Sequence, residues 1–348
     1  MMTMAELLDR MAAGGELGDG ARDAIGAALA GRGRDTTPWY LHLLVGVGSL
    51  VAALLLLAFF GMANLLDSSG VMVTTGLVLC GGAALARLAL DRTGVLHQAP
   101  LAPALAGALM VWIGIWSSGG GFLSGTGDRS TSLALAGLAA LELGMIFAYR
   151  DRLHRFLATV VVCMAVCLLL LNNDLHLAAA LLAVALGWAA TLAWQHESLL
   201  ARREELARPV LYGLTMGLFA VIWALLLEQD TLDWVVSVGL GAALAHQAWR
   251  LLAGAAPRAR ALGVAGALLL LPLAWGSPGL LAAPLIILVG FSRGSRIVVG
   301  LGALFLASYI IFFYYNLELT LLAKSFSLLG VGAALLGARA ALARARVL

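Results

Sequence analysis

Arg150-Asp151-Arg152-Leu153-His154-Arg155 joins two apolar runs, 131–149 and 156–171. Three arginines in six positions, flanked by segments with almost no charge, have no place in a soluble core. They fit a short connection between two membrane helices on the side where basic residues accumulate. The same punctuation recurs along the chain. Twelve apolar segments are read at about 39–61, 71–90, 100–117, 131–149, 156–171, 177–195, 210–228, 234–252, 261–276, 279–292, 296–315 and 319–338.

The basic residues fix the orientation. Twenty of the 22 lie at the two termini or in the even-numbered gaps between segments. The odd-numbered gaps carry Arg129 alone and are acidic instead, with Asp67, Asp174, Glu228, Asp230, Asp233 and Glu318. By the positive-inside rule both termini face the cytoplasm. Trp39, Tyr40, Trp116, Trp234, Tyr314 and Tyr315 stand at segment ends, where interfacial aromatics belong. With 62% hydrophobic and 12% charged residues, the chain treats the bilayer as its solvent. A net charge of +3 would point to nucleic acid in a soluble protein, but here the excess is arginine at membrane edges, so nucleic acid is not expected as a partner.

The expected fold is all-α: a polytopic transmembrane helix bundle of about 12 spans. Residues 1–37 read as short cytoplasmic amphipathic helices, and 38–348 as the transmembrane domain. A crossing needs about 20 residues, with ~17 a practical minimum, so the fifth, ninth and tenth segments fall short. The tight Gly276-Ser277-Pro278-Gly279 turn leaves 261–292 open as two crossings or a re-entrant hairpin. Matched strings, such as Ala106-Gly107-Ala108-Leu109 with Ala265-Gly266-Ala267-Leu268, leave two further readings open. Either 38–195 is duplicated as 209–338, giving two parallel six-helix repeats, or Ala-, Leu- and Gly-rich helices resemble one another by chance.

Few residues carry chemistry. Glu142 lies past the middle of the fourth segment, between Leu141 and Leu143. It reads either as a proton- or ion-coupled carboxylate, or as a protonated or arginine-paired acid that fixes helix register. Lys324, the only lysine, follows Asn316 and Glu318 near the outer end of the last segment. It could hold an anion or a partner's carboxylate there, or simply snorkel to the interface. His42, His97, His176 and His246 have no ligand-spaced companion, and Cys80, Cys163 and Cys167 read as packing residues, so no metal or cofactor is expected. Small residues inside segments, among them Gly46, Gly48, Gly81, Gly82, Gly213, Gly217, Gly239 and Gly241, read as close-packing positions. No nucleophile or redox motif occurs, and an enzyme is not expected.

Thr37-Pro38-Trp39-Tyr40 and the closing stretch from Phe313 to Ser325 resemble a bacterial polytopic membrane family catalogued as domain of unknown function 4401. That resemblance implies a bacterial inner-membrane location and a membrane-anchored envelope partner protein, but no reaction. Two functions follow as expectations. One is a transporter- or permease-like protein with Glu142 in a polar pathway and an unknown substrate. The other is a non-catalytic scaffold in the lipid bilayer, assembling with the envelope partner.

Overall fold

The computed structural model describes residues 39–63, 68–89, 100–118, 129–149, 151–197, 204–228, 232–254, 256–273 and 276–316. Among these, all regular structure is helical, in eleven helices. They are α1 (Trp39–Met62), α2 (Ser69–Ala89), α3 (Leu101–Ser118), α4 (Arg129–Ala148), α5 (Arg152–Asn172), α6 (His176–Gln195), α7 (Glu204–Leu227), α8 (Asp233–Leu251), α9 (Pro257–Leu273), α10 (Gly279–Ser292) and α11 (Arg296–Asn316). Each coincides with one of the first eleven apolar segments. The twelfth, 319–338, and the helices read in 1–37 lie outside the described residues.

Among the described residues, five stretches are long and apolar enough to cross a membrane: Ser69–Arg87, Thr131–Ala148, Arg152–Asn172, His176–Gln195 and Glu204–Leu227. Shorter apolar stretches occur in α1, α3, α10 and α11. The fifth segment is therefore a correction to the sequence reading. It is a full 21-residue helix because Asp151 caps it, its carboxylate accepting from the Leu153 and His154 N–H groups at 2.9 and 3.1 Å. The cap winds Arg152, His154 and Arg155 into the first turn, where hydropathy alone saw only a polar gap.

By contact density the chain divides at Ala52/Ala53. The described part of the first unit is the opening of α1. In the second unit, α2 packs along α3, α3 on α4, α4 on α5, and α5 on α7. Helices α6, α7, α8 and α10 pack on one another, with α9 against α8 and α11 against α10. A large apolar core joins α5 to α8 with α10 and α11, and a smaller one joins α2, α3, α4 and the start of α5. Although α10 has only 14 residues, it is the most enclosed, with Leu281, Ala282, Ala283, Leu285 and Ile286 fully buried.

Small residues set the closest approaches, as expected where packing rather than apolar burial holds helices together. At Gly76 and Gly107 the facing backbones of α2 and α3 leave no room for a Cβ, and Gly114 abuts Met72. Gly213 seats Thr159, and Gly217 seats Cys163. Gly239 and Gly241 likewise meet Val184 and Leu271. Among the described residues, nothing lies within 4 Å of a Cβ built on Gly48, Gly81 or Gly82, so no described helix packs closely on them. The turns after α5 and α10 close alike. Leu175 N–H bonds to the Leu170 carbonyl, and Ser295 N–H to that of Gly290, across left-handed Asp174 (φ 56°) and Gly294 (φ 64°).

A buried ionic chain at the basic end of the helices

Residues from the even-numbered gaps meet one another. Arg87, near the end of α2, donates to the Asp151 carboxylate at 2.6 Å. Arg208 on α7 pairs with Glu204 at 2.9 Å and with Glu197, just past α6, at 3.3 Å. Arg155 donates from Nε to the Ile146 carbonyl and from Nη1 to the Glu205 carbonyl, both at 3.0 Å. The second of these bonds has a covalent cause. Glu205 would normally bond to the N–H four residues on, but that residue is Pro209, which has none. Arg155 supplies the missing donor and so pins α5 to the opening of α7.

At the opposite end, Ser132 near the start of α4 accepts from Asn172 and Asn173 at 2.9 and 2.8 Å.

Inward from the Arg87–Asp151 pair the polar contacts continue. The Arg87 guanidinium lies over the Tyr149 ring at 5.7 Å, and the Tyr149 ring meets the His154 imidazole at 4.8 Å. His154 Nε2 is 3.9 Å from Glu142 Oε2. Glu142 is 4% exposed, His154 1% and Tyr149 0%. Neither His154 nitrogen, the Tyr149 hydroxyl nor Glu142 Oε2 has a hydrogen-bond partner among the described residues. Glu142 is six residues from the end of α4, a depth of about 9 Å at 1.5 Å per residue.

Chemically, this is a line of ionisable groups in ring and close contact, with no hydrogen bond among Tyr149, His154 and Glu142 in the described residues, leading from the largely buried Arg87–Asp151 pair to a carboxylate inside the helix group. An isolated buried charge costs several kcal/mol, so the imidazole and carboxylate favour two arrangements, both neutral or both charged. They differ by the position of one proton.

Of the residues singled out from sequence, Glu142 lies in this cluster. Asn316 is the last residue of α11, and Glu318 and Lys324 lie outside the described residues. Sequence reading missed Arg87, Tyr149, Asp151, His154 and Arg155 as site residues. They sit in or beside gaps, where arginine already has a topological explanation. A signal was available: His154 follows Glu142 by twelve residues across a short turn, which places both near the same end of adjacent helices.

A cavity of about 310 Å³ lies elsewhere, between α5, α7 and α11. Its wall is apolar apart from Ser308, and includes Trp223 and the stacked rings of Phe219 and Phe305, 3.9 Å apart.

The helices and their buried ionic chain define a class: an all-helical protein whose long apolar helices are suited to a bilayer and whose charges gather at helix ends. Within that class, the chain belongs to the family described as Domain of unknown function (DUF4401), whose profile matches residues 38–345. A search of curated proteins finds no match to it.

Proposed function

We propose that this chain is a permease-like, non-enzymatic protein of a bacterial inner membrane, with Glu142 and His154 holding a proton that moves during its working cycle. The observation that carries this reading is the 3.9 Å approach of two nearly water-free ionisable groups with open hydrogen-bonding capacity. Ionisable residues inside membrane helices are costly and commonly mark ion or proton paths. The arginine distribution favours both termini in the cytoplasm, and the meeting of even-gap residues Arg87 with Asp151, and of Arg155 with the Glu205 carbonyl, supports a common side for those gaps.

Twelve spans in two parallel six-helix repeats, 38–195 and 209–338, complete the proposal. The pairing of α2 with α3 and of α4 with α5 recurs as α8 with α9 and α10 with α11, which favours the repeat. The α3–α4 packing has no counterpart of similar extent between α9 and α10 among the described residues, which weighs against it.

The decisive experiment uses full chain reconstituted in vesicles with an internal pH dye, challenged with panels of amino acids, sugars, organic acids and metal ions. A solute that moves protons in wild type, but not in Glu142→Gln, is the expected result. A wild type inert to every panel overturns the transport reading. The second reading, a scaffold for a membrane-anchored envelope partner, is favoured by the close packing around Glu142 and by the apolar character of the described cavity. Affinity capture from native membranes that returns one stoichiometric envelope protein, with no ligand-induced stabilisation of the purified chain, is the outcome that supports it.

A further inference from the structure

A second polar assembly stands apart from the Glu142 chain, where α6, α8 and α10 end together. Gln195 is the last residue of α6, Arg250 lies in the last turn of α8, and Arg293 is the C-cap of α10. Arg250 Nη1 donates to Gln195 Oε1 at 2.7 Å, and Arg293 Nη2 donates to the Gln195 backbone carbonyl. Gln195 is held in turn by Gln247, 2% exposed, which accepts from its amide at 2.6 Å and donates to Ser292 Oγ at 3.1 Å.

Two exposed guanidinium groups therefore converge on one neutral residue. Among the described residues neither meets a carboxylate, and the nearby Glu197 is taken by Arg208. The C-terminal carbonyls of the three helices offset part of this charge. They leave most of the N–H donors unused, in the planar arrangement that suits phosphate oxygens. Beside Arg250, Trp249 is half exposed, with Arg260 stacked over its ring at 4.2 Å, as side chains at headgroup level are.

We propose that Arg250 and Arg293, fixed by Gln195, form a binding site for an anionic phosphate group at the membrane surface, of the kind an acidic phospholipid presents. The site is independent of any proton movement at Glu142.

The test uses the purified full chain in an uncharged detergent, with thermal stability read against added phosphatidylglycerol, phosphatidylcholine or inorganic phosphate. Phosphatidylglycerol is expected to stabilise the chain more than phosphatidylcholine. Arg250→Gln and Arg293→Gln are each expected to weaken its half-effect concentration roughly fivefold. Arg129→Gln, at the opposite end of the helices, leaves it unchanged. Stabilisation by inorganic phosphate at similar strength assigns the site to free phosphate, and its absence assigns it to the lipid. Equal responses to the two lipids with none to phosphate, or variants that respond like wild type, overturn the proposal. Because the lipid comparison is made on wild type itself, the test stands even if a variant fails to fold.

Discussion

Glu142 was legible as a misfit, but its partner was not. A charge between two leucines is conspicuous in any apolar segment, whereas His154 sits among arginines in a stretch already explained by topology. Only the Asp151 cap, which winds the gap into α5, turns the imidazole inward. The pairing makes a quantitative statement. In the charged arrangement of the pair, His154→Leu strands the carboxylate and lowers stability by about 3 kcal/mol, which adding Glu142→Leu largely recovers, whereas in the neutral arrangement His154→Leu costs only its packing. Reversible unfolding in mild detergent measures both. Additive single effects, with coupling under about 0.5 kcal/mol, would mean the two groups do not interact.

Helix ends were read to within a few residues where apolar runs are bounded by loops, and less well where polar residues are wound into a first turn. Beyond α5, helix α7 already runs at Glu204, several residues before the apolar run, and Arg155 occupies the Glu205 carbonyl that Pro209 leaves free. This yields a specific cycle. Arg155→Gln is expected to cost about 1–3 kcal/mol through the orphaned carbonyl, and less in a Pro209→Ala background, where the restored N–H takes over. Equal costs in both backgrounds would refute the substitution of one donor for the other. Helix contacts were only half legible, since a glycine's presence does not say which way it faces. Gly107→Ala, at the α2–α3 crossing, is expected to destabilise by about 1–3 kcal/mol. Gly81→Ala, where no described residue comes within 4 Å of the added methyl, is expected to be neutral or to stabilise by up to about 1 kcal/mol. Thermal melts of the two variants side by side decide the matter, and a reversal of their order would exclude the backbone contact.

For the chain as a unit, arginine placement was the strongest signal, because sidedness is a count over many residues and survives errors in any one segment. A fluorescent protein fused after Leu348 is expected to glow in the cytoplasm, and alkaline phosphatase at the same position to stay inactive. The opposite pattern would invert every gap at once. The candidate site was far less legible: its residues come from α2, α4, the α4–α5 turn and α5, and no local motif encodes an assembly of that kind. The Arg87–Asp151 bridge carries one more implication, for how the protein is made. Its partners are separated by 64 residues, so the ribosome delivers the guanidinium well before the carboxylate. The α2–α3 contact through Gly76 and Gly107 needs nothing downstream, so that pair can form first, and the bridge to the α4–α5 turn ties an already packed hairpin to the helices made after it.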